Sequence, residues 1–209
     1  MSVGEYPRFS AFERRPVGIR FCAQLRYLAD DRSRPCGGIS SGSSFAVNEV
    51  TTAASVWALA SFMSSGGKVG ASCTNTTGMD NAFVTANELA NSATGASPGT
   101  GLPSTLAVPT AKLNSLANAI ASCTSGIGSC TALFSVATSG SNVPSNTLDA
   151  ALNIARAPAA SVAAIYSLAA ANPVFSPALT AAPPDWMLHN TVTGGGMDSP
   201  ASLGVGRIR

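Results

Sequence analysis

The chain has 209 residues, 45% of them hydrophobic and only 11% charged, with a formal net charge of +2. That length suits one domain of ordinary size, and the charged fraction falls well below the roughly 25% of average proteins, so neutral Ser, Thr, Asn and Gly must carry solubility. Residues 1–34 hold seven Arg against four acids, whereas residues 35–206 hold three basic residues against six acids, so the body of the chain lacks the basic footprint of a nucleic-acid binder.

Residues 1–34 read as an atypical basic leader, rich in Arg and Phe/Tyr and without a sustained period. A short amphipathic helix over about 19–28 is the one element that suggests itself there. The four acids interrupt any basic block, which favours a disordered or out-of-frame leader over an arm for RNA or membrane. The opening MSVGEYPRFSAFERRP has no apolar stretch of the kind a secretory signal needs. No membrane span is predicted either: the apolar run Ala53–Met63 is 11 residues, and a span needs about 20.

The remainder predicts an all-α fold, a bundle of about six helices around a central helix at 47–64. Residues 35–185 form the helical domain, and residues 186–209 are a separate tail. The Gly/Ser-rich 35–45 is a turn or linker. In the central helix, Val50, Ala53, Ala54 and Trp57 line one face and Val56, Leu59, Phe62 and Met63 another, so it is expected to be surrounded by protein. Asn48 is its expected N-cap, Glu49 suits the positive end of the helix dipole, and Ser64–Gly67 is expected to end it.

Thr77-Gly78-Met79-Asp80 has the form of a capping box for a second helix running to about Ser92, with Met79, Phe83, Ala86 and Leu89 inward. Pro109 suits the first turn of a third helix. Its apolar stripe is Leu113, Leu116, Ala117 and Ile120, with Asn114 and Asn118 expected outside it on a solvated face. A short fourth helix carries Leu133, Phe134 and Val136. Ser145 is the expected cap of a fifth, with Leu148, Ala151 and Leu152 inward, and a sixth runs to about Ala171 until Asn172-Pro173 stops it. Residues 174–185 are Pro-rich loop, and WMLHNTVT at 186–193 reads as one short strand.

Few residues point to chemistry. Gly38-Ile39-Ser40-Ser41-Gly42 fits the nucleophile-elbow pattern, which needs a buried strand before it and a helix directly after it. Arg34-Pro35-Cys36-Gly37 precedes it and more Ser and Gly follow, so a chance match explains it better than a catalytic Ser40. His189 is the only histidine, and a Ser/His pair would have to use it. The cysteines show no C-x-x-C pair for zinc. Cys123 and Cys130 bracket the flexible segment CTSGIGSC, and a disulfide between them suits an oxidising compartment. Cys36 and Cys73 are a further possible pair, with Cys22 left over. Asn75-Thr76-Thr77 is a glycosylation sequon in form. No residue is assigned a catalytic, cofactor or metal role.

From about 35 to 204 the chain resembles the helical domain that precedes the β-propeller of bacterial exported NHL-repeat proteins. The phrases that carry the resemblance are CGGISSGSSFAVNEVTTAASVWALASFM, GMDNAFVTANELANSATG, VPTAKLNSLANAIASC, LDAALNIARAP and the closing SPASLGV. It implies a non-catalytic structural or spacer domain, export to the periplasm or outside, and a propeller as partner, with 186–209 a remnant of the linker and of the first propeller strand, which begins at SPASLGV. That family continues with a segment like Asp-Ala-Ser-Gly-Asn. Here Arg207-Ile208-Arg209 follows, which is what an Ala-Ser-Gly coding stretch becomes when read one base out of frame. A frameshift that cut off the propeller is therefore expected. The alternative is a binding module whose bared apolar face docks a partner domain, and such a fragment would tend to self-associate.

Overall fold

The computed structural model describes residues 45–72, 74–125, 130–171 and 173–193. The leader 1–34, the elbow around Ser40, the closing 199–209 and Cys22, Cys36 and Cys73 lie outside the described residues. Within them the fold is all-α: six helices and two small antiparallel strand pairs.

Helix α1 (Glu49–Leu59) starts where its sequence says it should. Asn48 is extended, its Oδ1 accepts from the Thr51 N–H at 2.9 Å, and the Thr51 hydroxyl accepts from the Asn48 N–H at 3.0 Å. Two of the four unpaired amides of the helix start are thereby satisfied reciprocally. The Asn48 side chain also donates to the Gly95 carbonyl at 2.9 Å, tying the helix start to a later loop. Val50, Ala53, Ala54, Val56 and Leu59 are buried, and Trp57 packs half-buried against the core.

The helix ends several residues earlier than expected. Met63–Ser64 (β1) pairs with Lys68–Val69 (β2) around a tight turn at Ser65–Gly67. Gly66 and Gly67 sit at φ 73° and 74°, a left-handed conformation that only glycine adopts cheaply. At Gly67 a Cβ would also come within 2.7 Å of Leu148. Arg156 donates to the carbonyls of Ala60 and Met63, so a side chain supplies the partners that another helical turn would have given.

Helix α2 (Thr76–Leu89) begins before the expected capping box, with Asn75 at the N-cap position and no side-chain cap bond. Thr77 therefore lies inside the first turn. Leu106–Ala107 (β3) follows a long loop, and α3 (Thr110–Thr124) begins directly after Pro109. Then come α4 (Cys130–Val136), α5 (Thr147–Arg156) and α6 (Val162–Ala171). The cap of α5 is Asn146, whose Oδ1 accepts from the Asp149 N–H at 2.8 Å; the expected Ser145 stands one residue too early.

Helix α1 packs on α2, α3 and α5, as a central element should, and α3 shares that place by packing on α6, α1, α4 and α5. Ten consecutive residues of α3, Leu113–Ser122, are buried. Small side chains permit this. Ala53, Ala117, Ala150 and Ala151 have no exposed surface, and helix axes can approach closely only where the facing side chains are short.

The tail behaves differently from the expected single strand. Only Thr191–Val192 (β4) pairs, antiparallel with β3, in the register Leu106↔Val192 and Ala107↔Thr191. Trp186, at the start of that stretch, is instead fully buried among the helices.

Candidate functional site

The most elaborate polar arrangement lies where the Pro-rich stretch after α6 crosses α3. Asn114 and Asn118 are four residues apart and so share one face of that helix, with Ser115 beside them. All three are buried. Asn118 makes a two-way contact: its Nδ2 donates to the Phe175 carbonyl at 3.0 Å, and its Oδ1 accepts from the Phe175 N–H at 2.7 Å. Asn114 Nδ2 donates to the Pro177 carbonyl at 2.9 Å. The Ser115 hydroxyl accepts from the Leu179 N–H at 2.9 Å and donates to the Ala111 carbonyl at 2.9 Å.

These contacts correct the expectation of a solvated Asn face. A segment outside any helix or strand has no ladder partner when it is laid on a helix, and a buried backbone polar group left unpaired is costly. The side-chain amides of α3 take the strand's part, supplying both donor and acceptor. The segment has four prolines (Pro173, Pro177, Pro183, Pro184), which hold it out of helical conformation. Residues 173–188 thus form a strap across the bundle.

The far end of the strap is anchored apolarly and ionically. The Trp186 N–H donates to the Pro158 carbonyl at 2.8 Å, and its indole Nε1 reaches the Val162 carbonyl at 3.4 Å. Trp57 Nε1 donates to the Trp186 carbonyl at 2.8 Å, which joins α1 to the strap. Lys112 Nζ binds Asp185 Oδ1 at 2.9 Å and the Met187 carbonyl at 2.9 Å. The Lys112 ammonium, and after it the Met187 N–H, hold the Asp185 carboxyl below its ordinary value of 3.8.

Other residues singled out by sequence are scattered. Cys123 and Cys130 are joined in a disulfide linking the end of α3 to the start of α4. His189 is exposed, on the stretch between the buried Trp186 and β4. Ser40 lies outside the described residues, so no geometry relates it to His189. A cleft of about 90 Å³ opens beside α2, lined by Asn87, Glu88, Asn91, Ser92 and Thr100 among others. Glu88 Oε2 there accepts from Asn190 Nδ2 at 2.9 Å. Among the described residues no three His, Cys, Asp or Glu side chains cluster closely enough to hold a metal, and no helix is long and apolar enough to cross a membrane.

Sequence reasoning missed the Asn114–Ser115–Asn118 row and the role of Trp186. A signal was present: two Asn on one helix face, and a later Pro-rich segment unable to pair with itself. No family model, curated protein or solved structure matches the chain.

Proposed function

We propose that the chain is a non-catalytic helical scaffold or spacer domain, of the kind that precedes the β-propeller in bacterial exported NHL-repeat proteins. The observation that carries this reading is where the buried polar side chains point. Asn114, Ser115 and Asn118 all bond main-chain atoms of the chain itself. A catalytic group must keep an atom within reach of substrate, and these three side chains are buried and bonded to the fold's own backbone. The rival reading is a hydrolase that uses Ser40. Treatment with a fluorophosphonate probe followed by intact mass measurement separates the two: the scaffold reading expects no adduct, and an adduct abolished by Ser40→Ala overturns it.

The propeller as neighbour rests on the resemblance of 35–204 alone. Met187 and Val192 are both more than half exposed on the stretch leading toward SPASLGV, and they suit a surface that a following domain covers. Reading the flanking DNA in all frames tests this. Propeller repeats in a neighbouring frame support it, and their absence from every frame overturns it.

A further inference from the structure

We propose that the cleft beside the C-terminal end of α2 is a binding site for a small organic cation, an ammonium or guanidinium head group held by Glu88 and Asn190. Helix α2 ends at Leu89 and has no basic residue in its last turn. It carries Glu88 there instead, where the partial negative charge of the helix end disfavours a carboxylate and favours a cation. The ion pair among the described residues joins Lys112 to Asp185, so Glu88 has no basic partner among them. Its Oε2 accepts from Asn190 Nδ2 at 2.9 Å. That bond fixes the carboxamide, and Asn190 Oδ1 is the one buried side-chain polar atom of the described residues without a hydrogen-bond partner. Turning the amide over would set Oδ1 against the carboxylate, so the unpaired atom stays an acceptor. The nitrogen and oxygen of a carboxamide are about 2.3 Å apart, which puts Oδ1 within about 5 Å of Glu88 Oε2.

Two neighbouring acceptors, one of them charged, call for a ligand that brings N–H donors and positive charge. A guanidinium presents its donors in a fixed fork and spans such a separation. The cleft suits one head group on a short stem: its volume of about 90 Å³ lies well below the roughly 300–1,000 Å³ of sites that enclose a whole drug-sized ligand. Val84, Leu102 and Pro103 give the stem an apolar wall. The opposite loop is held close by Gly99, whose N–H donates to the Glu88 carbonyl at 2.8 Å. A Cβ at that position would come within 1.7 Å of the Asn87 carbonyl, so only glycine lets the loop approach the helix end this closely. A divalent metal is a poorer match, since calcium takes about six to eight oxygens and Glu88 is the one carboxylate lining the cleft.

Titration of the full chain with butylguanidinium at low salt, followed through the backbone amide shifts of Glu88, Ser92, Gly101 and Asn190, tests this. Saturable shifts with a dissociation constant in the millimolar range are expected. Glu88→Gln keeps an acceptor for Asn190 Nδ2 but removes the charge, and it should weaken binding about tenfold. Asn190→Asp sets a second carboxylate beside the first and should tighten binding about tenfold, a gain that a purely structural Glu88–Asn190 bond does not produce. Shifts that fail to saturate, or that are the same in Glu88→Gln, overturn the proposal. So does calcium chloride that saturates the same amides at a lower concentration than butylguanidinium. Where circular dichroism finds Asn190→Asp unfolded, the Glu88→Gln comparison alone decides. A parallel arm reads the source of the head group. A blocked Ala-Arg-Ala peptide that binds more tightly than butylguanidinium assigns the site to a polypeptide side chain, and one that binds less tightly assigns it to a free small-molecule cation.

Discussion

The Asn118 carboxamide both donates to and accepts from the Phe175 backbone, so Asn118→Ala strands two backbone groups at once. Each buried group left unpaired costs about 1–3 kcal/mol, and the substitution is expected to destabilise the fold by about 2–4 kcal/mol in urea denaturation. Asn118→Asp keeps the acceptor for the Phe175 N–H and loses the donor, so it should cost less than Ala near pH 3 and more near pH 7, where a buried charge is added. At Asp185 the argument concerns pH. Its carboxyl is held below 3.8 by Lys112 and the Met187 N–H. A carboxyl whose folded value is depressed contributes stability that is present in full above its unfolded value and lost as pH falls through the folded value. Wild-type stability should therefore decline below about pH 3.8 more steeply than that of Asp185→Asn, and parallel acid titrations of the two check it. Asn114 and Asn118 also show where sequence reading stops. An Asn off the apolar stripe reads as solvated on composition alone, and only the path of a segment some 60 residues later gives it a partner.

At the scale of elements, the helix starts and stops depend on side chains that reach across the fold. The Asn48–Thr51 cap of α1 is local and was legible, and Asn48→Ala should cost about 1 kcal/mol. Its end was not legible, because Arg156 of α5 bonds the carbonyl of Ala60, the residue that caps α1, from nearly a hundred residues away. The caps of α2 and α5 were misplaced by a residue or two, since Thr, Ser and Asn crowd those boundaries and each can take the role. The disulfide between Cys123 and Cys130 closes an eight-residue loop between α3 and α4. Chain entropy puts the value of such a loop at about 2.5 kcal/mol, so reduction, or the double change to Ala, should lower the unfolding free energy by that much and shift the denaturation midpoint down with it. A midpoint unmoved by reductant would remove the bond from the stability of the native state.

For the whole molecule, the period of the apolar residues was enough to read an all-α bundle and six helices, because buried helix faces announce themselves at intervals of three and four. It was not enough to place the tail. Trp186 sits in a short apolar stretch that reads as strand, yet it fills the space between the helices and takes the Trp57 indole N–H on its carbonyl. Removing a buried aromatic of that size costs about 3–5 kcal/mol, against a total of about 5–15 kcal/mol for a domain, so Trp186→Ala should lower the melting temperature more than any other single change to the strap. The central claim is that residues 173–188 belong to the core of the bundle although they contain no helix or strand. Native-state amide hydrogen exchange at Phe175 and Leu179 tests it most directly. Both N–H groups are bonded to buried side chains of α3, and they are expected to exchange as slowly as the α3 amides and through the same global opening. Exchange at the rate of the exposed Thr180–Ala182 stretch, with α3 still protected, would contradict it.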